Sequence, residues 1–129
     1  MVTVDDVRDL ATWLPRSYEV LVRKRVKFRV KQYVYIAFSR DETLMGFGFP
    51  RDEREAMLQT FPEKFVRPSP VDMRYQWLVV RMDAIDKREL RQLVFDAWRI
   101  VVPKQLAAMS DRELGRYIRA AREGTAEEL

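Results

Sequence analysis

Five cationic side chains alternate with apolar ones between residues 22 and 31, a stretch that reads Val-Arg-Lys-Arg-Val-Lys-Phe-Arg-Val-Lys. Successive side chains of a β-strand point to opposite faces, so this spacing places the five cations on one face, about 7 Å apart. A row of that pitch suits successive phosphates along a nucleic-acid strand. The pattern predicts a half-buried strand whose exposed face offers a nucleic-acid-binding row formed by Arg23, Arg25, Lys27, Arg29 and Lys31.

The same row has a second interpretation, in which it only keeps an exposed strand soluble and prevents pairing with another sheet edge. The protein is then a non-catalytic interaction or structural domain with a basic face. Both interpretations stay open at this point. The positive charge is nevertheless concentrated, because residues 16–31 contain seven of the 24 Lys and Arg residues but only one of the 20 Asp and Glu residues.

A second cationic group lies near the C-terminus. Ser110 followed by Glu113 matches a capping box, which predicts the start of a helix, and Gly124 predicts its end. Helical spacing places three arginines on one ridge of this helix and four apolar side chains on its other face. The ridge consists of Arg112, Arg116 and Arg119, and the apolar face of Leu114, Tyr117, Ile118 and Ala121.

The residue types needed for common enzyme chemistry are missing from the sequence. It contains no cysteine and no histidine, which excludes thiolate chemistry, disulfides and the usual proton shuttle. Asp5, Asp6 and Asp9 lie near the start of the first predicted helix, where acids commonly cap, and Arg8 interrupts them. We therefore expect no catalysis, no cofactor and no metal site.

The sequence also lacks the signals of export or membrane insertion. The N-terminal residues have neither the basic start nor the apolar run of a signal peptide, and no stretch approaches the roughly 18 apolar residues that span a bilayer. These observations predict a cytoplasmic protein with no membrane association.

Periodicity predicts the elements that position these residues. Helices are expected over residues 3–14, 50–60, 86–102, 104–109 and 110–124, and strands over 17–22, 22–31, 33–38, 44–49 and 73–82. Lys31-Gln32 is the expected hairpin turn, and residues 125–129 are expected to fray. Aromatic residues on the central strands, together with two tryptophans, are assigned to the core: Tyr33, Tyr35, Phe47, Phe49, Trp77 and Trp98.

This order of elements predicts a single α+β domain over residues 1–129, an antiparallel β-sheet with helices packed on one face. The strand at 33–38 is apolar on both faces, so its second face also needs cover. The C-terminal helix is one candidate for that cover, and a second subunit in a homodimer is the other.

Several diffuse motifs carry a family resemblance: Leu14-Pro15, the strand sequence at 26–30, Phe61-Pro62, and Trp77 ahead of a long amphipathic helix. Through them residues 1–109 resemble the MmcQ/YjbR family of small bacterial proteins, and residues 110–124 form an extra helix. The resemblance implies a CyaY-like (frataxin-like), double-wing fold and a DNA-binding role. Lys31-Gln32 stands where the family usually has Gly-Gly, and Gln76 where it has His, so a His-dependent chemistry does not carry over.

Overall fold

A six-stranded antiparallel sheet forms the centre of the structure, a computed structural model that describes residues 1–124. The strand order is β1-β2-β3-β4-β6-β5. The strands are β1 Ser17–Val22, β2 Arg25–Val30, β3 Tyr33–Phe38, β4 Leu44–Gly48, β5 Phe65–Val66 and β6 Trp77–Arg81. The helices are α1 Val4–Ala11, α2 Arg51–Thr60, α3 Lys87–Val101, α4 Lys104–Ala107 and α5 Asp111–Arg122. The tail predicted to fray, residues 125–129, lies outside the described residues.

Helix α3 covers the middle of one sheet face. It packs on β3 and β4, and α1 packs against it. Its predicted apolar stripe is buried at Leu90, Val94 and Ala97. Trp98 is buried as well, and its Nε1 donates a hydrogen bond to the carbonyl oxygen of Pro15 at 2.9 Å. The prediction of an α+β fold with α1 and α3 on one sheet face is confirmed.

The hairpin β1–β2 corrects the prediction of one strand from residue 22 to 31. Arg23 and Lys24 form a two-residue turn with φ angles of 51° and 64°, so β2 begins only at Arg25. Positive φ at both central residues is the pattern of a type I′ turn, which matches the twist of the paired strands. The turn could not be recognised from the sequence, because Arg23 and Lys24 stand where Asn and Gly are usual and because their charges continue the alternating pattern. Lys31 lies in the predicted second turn, with a φ of 55°.

A β-bulge between β2 and β3 decides which aromatic side chains are buried. Phe28 pairs with Ile36 and Arg29 with Val34, so Tyr35 is the extra residue. Tyr35 and Ile36 are therefore both buried, although they are adjacent. Tyr33, at the start of β3, is 54% exposed, so its assignment to the core is wrong. The assignment is right for Tyr35 and Phe47, while Phe49 is partly buried.

The C-terminal helix α5 packs on the helical layer. Its capping box is present, with Ser110 and Glu113 bonded to each other's backbone. Arg91 and Arg99 of α3 both donate to Asp111, and Leu114 and Ile118 are buried. Helix α5 therefore lies outside α3, so of the two candidates for covering the second face of the sheet, the C-terminal helix is excluded.

Candidate nucleic-acid interface

Three cations project from β2 on the sheet face opposite α3, and we call Arg25, Lys27 and Arg29 the cationic face. The alternate residues of β2, Val26, Phe28 and Val30, are buried on the α3 side. The predicted alternation is thus confirmed for β2 itself. Arg23 and Lys31 do not belong to this row, because they occupy the turns at its two ends.

The charges of the cationic face are not neutralised by carboxylates. Within residues 1–124, none of the three forms an ion pair shorter than 4.0 Å. Glu19 is the acidic residue of the segment 16–31. Its carboxylate accepts hydrogen bonds from Nε and Nη2 of Arg8 at 2.9 and 3.0 Å. Its register partner is the buried Phe28, which places Glu19 on the opposite face of the sheet.

The two arginines of the cationic face differ in their partners. Nε of Arg25 donates to the carbonyl oxygen of Phe38 at 2.9 Å, which holds the guanidinium group of Arg25 beside β3. Nε of Arg29 is buried and has no hydrogen-bond partner in the described part of the chain. A buried donor without a hydrogen-bond partner lowers the free energy of unfolding, so the cationic face is not arranged for maximum stability.

Lys27 lies between Arg25 and Arg29 on β2, and the pKa of its ammonium group responds to their positive charges. Burial lowers the pKa of its ammonium group below the ordinary value of 10.5, and the positive charges of Arg25 and Arg29 lower it further. Asp72 has the opposite, weaker effect, while Arg23 adds a small repulsion. The cationic face therefore has a positive electrostatic potential, and a bound anion would reduce the repulsion among its three cations.

The substitution Lys27→Met is expected to raise the free energy of unfolding at neutral pH. Because the pKa of Lys27 is lowered in the folded state, the unfolded chain binds this proton more tightly. The resulting penalty is fully present below the folded-state pKa and disappears as the pH rises toward 10.5. The advantage of the variant should shrink over that alkaline range, as measured by urea unfolding at several pH values.

The exposed Lys104 of α4 provides the matched control, since Lys104→Met makes the same change in charge away from the hairpin. It should leave the stability within about 0.5 kcal/mol of the wild type. A loss of stability in Lys27→Met at neutral pH would mean that Lys27 supports the fold.

A groove of about 520 Å³ runs beside the cationic face on the same side of the sheet. Its lining includes an apolar floor of strand residues, the cations Arg25 and Lys27, and a wall formed by the segment before β6 together with Trp77, the first residue of β6. The floor includes Val34, Ala37, Gly46 and Val79, and the wall consists of Asp72, Tyr75, Gln76 and Trp77. We call this cavity the groove and residues 72–77 its wall.

The indole of Trp77 lies directly over Gly46. A Cβ atom at residue 46 would come within 2.6 Å of Nε1 and Cζ2 of the indole, so a glycine is needed there for this close approach. Trp77 is half-buried, and its assignment to the core is therefore only partly right. Tyr75 is 55% exposed at the groove. The groove thus has aromatic side chains in its wall and cations on its strand β2.

Arg54 of α2 holds the wall in place. It is 7% exposed, and within residues 1–124 it is the buried charged residue. Its Nη1 donates to the carbonyl oxygens of Tyr75 and Trp77 at 3.1 and 3.0 Å, and Nη2 donates to that of Met73 at 2.7 Å. This role is not evident from the sequence, because an arginine among charged residues on a helix has the pattern of a solvent-exposed side chain.

The second cationic ridge is present but remote. Arg112, Arg116 and Arg119 are all exposed on α5, which packs outside α3, whereas the cationic face lies on the other side of the sheet. The two groups therefore do not form one surface. Arg119 also lines a separate cavity of about 440 Å³ together with Arg91 and Arg122.

The acids of α1 have local partners. Asp6 accepts a hydrogen bond from the backbone N–H of Thr3 at 2.9 Å, which lowers the pKa of its carboxyl group, and Asp5 pairs with Arg8 at 2.9 Å. The capping interpretation is confirmed for Asp6. Among residues 1–124, no three His, Cys, Asp or Glu side chains converge to hold a metal ion.

Comparison with known proteins identifies the family. A family model named YjbR matches residues 12–100, which is more than half of the chain. The chain belongs to the YjbR family. The matched part of this YjbR protein contains the cationic face, the groove and Arg54, whereas α1, α4 and α5 lie outside it.

Among solved structures, the chain is similar to the crystal structure of the Deinococcus radiodurans protein DR2400, which carries the family-model domain DUF419. The two are 20% identical with a TM-score of 0.70, and the alignment covers 100% of this chain and 93% of that one. Similarity at this identity supports the fold alone. No curated protein matches the sequence. Residues 1–124 contain no helix that is long and apolar enough to cross a bilayer.

Proposed function

We propose that this YjbR protein binds DNA by contacting its phosphates with the cationic face. The observation that carries the proposal is that Arg25, Lys27 and Arg29 stand on one face of β2 and form no ion pair with any carboxylate in residues 1–124. Phosphate neutralisation releases condensed counterions and supplies most of the free energy of non-specific DNA binding. Arg23 and Lys31, in the turns at the ends of β2, add up to two further contacts.

Binding of this kind has weak sequence selectivity. Within residues 1–124, the cationic face projects from strand β2 and not from a helix that could enter the major groove to read base edges. The role is also non-catalytic in our proposal, since the sequence contains neither a cysteine nor a histidine to act as nucleophile or base. A cytoplasmic location is part of the same proposal.

The salt dependence of DNA binding tests the proposal. With three to five phosphate contacts, the logarithm of the association constant for duplex DNA should fall with the logarithm of salt concentration at a slope between about −2.7 and −4.5. Fluorescence anisotropy of a labelled duplex at several salt concentrations measures this slope. Absence of binding even at low salt would overturn the proposal.

The second candidate is a protein-interaction domain, and β1 favours it because no other strand within residues 1–124 pairs with its outer edge. β1 is a terminal strand of the sheet, and its Leu21 is 70% exposed. An unpaired strand edge with exposed apolar side chains is a site for pairing with a second copy of the chain. A stable dimer that binds no DNA, detected by sedimentation and by the titration above, would favour this function.

A further inference from the structure

We infer that the groove binds an unpaired nucleobase stacked on Trp77, with the adjoining phosphates on the cationic face, so that the preferred ligand is single-stranded nucleic acid. This inference rests on the proposed function and specifies its ligand. Arg25 and Lys27 connect the two parts, because both project from the cationic face and both line the groove.

The size of the groove suits a base with its sugar. Its volume of about 520 Å³ lies within the roughly 300–1,000 Å³ of small-molecule sites. Its lining follows the composition of such sites, since Val34, Ala37 and Val79 form an apolar floor and a few polar side chains stand around it. A paired base in a duplex cannot enter, because its faces are covered by its neighbours in the stack.

The wall provides the stacking surface. One side of the Trp77 indole approaches Gly46, and the partly buried side chain also borders the groove. Tyr75 adds a second exposed ring, with the guanidinium carbon of Arg74 at 5.2 Å from its centroid. Aromatic rings beside cations are the elements with which single-strand-binding proteins hold successive bases and phosphates.

The charges of the groove orient the ligand. Asp72 lines the wall, and its carboxylate repels a phosphate placed beside it. The phosphates are therefore directed to Arg25, Lys27 and Arg29, and the base is directed toward the wall. There Asp72 accepts hydrogen bonds from an exocyclic amine, and the exposed Gln76 amide both donates and accepts.

Four labelled ligands separate the inference from the proposed function. They are a single-stranded oligonucleotide, the duplex of the same sequence, a strand of equal length without bases, and a mononucleotide. We expect the single strand to bind the full-length protein more tightly than the other three at the same salt concentration. Base stacking on one aromatic side chain contributes about a 5- to 150-fold gain in affinity.

Substitution of Trp77 tests the stacking surface. Trp77→Leu should weaken binding of the single strand by about 5- to 150-fold and leave binding of the strand without bases unchanged, whereas Trp77→Phe should retain part of the affinity. Trp13→Leu is the matched control, because Trp13 is an exposed tryptophan that does not line the groove. The control should bind all four ligands as the wild type does.

Tryptophan fluorescence gives a readout that does not depend on the stability of the Trp77 variants. In a Trp13→Phe protein, the remaining tryptophans are Trp77 and the fully buried Trp98. A stacked base should quench the emission of Trp77, so the single strand should lower the fluorescence while the strand without bases should not.

The alternative results are distinct. Equal affinity for the single strand, the duplex and the strand without bases, with no quenching, overturns the inference and leaves the proposed phosphate binding intact. Failure of all four ligands to bind at low salt overturns both. If a mononucleotide binds as tightly as the oligonucleotide, the groove binds a free nucleotide, and the inference that its preferred ligand is single-stranded nucleic acid is overturned.

Discussion

Replacing Arg25, Lys27 and Arg29 together by glutamine is expected to flatten the salt dependence of duplex DNA binding by about 2.7 units of slope. Each phosphate neutralised contributes roughly 0.9 to that slope, and the triple variant removes three contacts. The lost counterion release alone corresponds to about a 500-fold weaker association at 0.1 M salt relative to the 1 M reference. Anisotropy titrations of wild type and variant over a series of salt concentrations measure both quantities.

The fold should survive this triple substitution. Arg25 loses one hydrogen bond to Phe38, but the change also removes the repulsion that acts on Lys27. The substitution also removes the buried, unpaired Nε of Arg29, and none of the three side chains belongs to the core. Changes outside the core commonly alter the stability by less than about 0.5 kcal/mol each. The thermal unfolding curve of the variant should therefore stay close to that of the wild type.

The arginines of α5 are the control matched in charge, because Arg112, Arg116 and Arg119 are three cations on another, exposed surface. Their replacement by glutamine changes the net charge equally but should leave most of the salt slope in place. If this variant loses DNA binding and the β2 variant keeps it, the interface lies on α5 and the cationic face has no part in it.

Replacing Arg54 by methionine is expected to lower the free energy of unfolding by about 2–4 kcal/mol. The substitution removes three hydrogen bonds from a buried cation to the carbonyl oxygens of Met73, Tyr75 and Trp77. Hydrogen bonds to charged groups contribute roughly 1.5–3 kcal/mol each, and water reaches part of this exposed wall and recovers some of the loss. Urea unfolding with an unchanged m-value measures the effect.

Arg51 supplies the control for this experiment. It lies on the same helix and donates to the carbonyl oxygen of Arg74 in the same wall at 2.7 Å, but its side chain is exposed. Arg51→Met should therefore cost no more than about 0.5 kcal/mol. Equal losses in both variants would contradict the view that burial of Arg54 makes it the main support of the wall.

Loss of the Arg54 contacts also bears on binding. If the wall positions Trp77 for a base, Arg54→Met should weaken binding of the single strand more than binding of the duplex. The phosphate contacts on β2, on which duplex binding depends, remain in this variant. Lysine is not a substitute for Arg54, since its compact ammonium group cannot reach three separate carbonyls in the geometry of the guanidinium fork.

The helices were predictable from sequence because their ends depend on residues close together in the chain. Thr3 with Asp6, Asp86 with Glu89, and Ser110 with Glu113 each form hydrogen bonds across three residues. The apolar stripe of α3 repeats with the helical period and needs only a sheet to cover it. The alternation in β2 was also predictable, because it too is a pattern of neighbouring residues. It separated the buried residues of β2 from the cationic face correctly.

The turns and the bulge were less predictable. Arg23 and Lys24 adopt left-handed backbone angles that their residue types seldom adopt, so their cations matched the pattern of a longer strand. Tyr35 was placed in the core by sequence and is buried, but the bulge that lets it lie beside Ile36 depends on the register of β2 against β3. Register is set by pairing between strands and is not visible in either strand alone.

The sequence by itself determined the helices with their caps, the α+β class and the one-sided charge of β2, because each follows from hydrogen bonds or periodicity within a few residues. Only the tertiary structure decided that the second sheet face is an open groove, with Trp77 over Gly46 and its wall held by Arg54. These contacts join residues 19 to 31 positions apart, and Arg54 and Trp77 have residue types that are equally common in other settings. Their roles arise from the chain path that brings α2, β4 and β6 together, and no local pattern encodes that path.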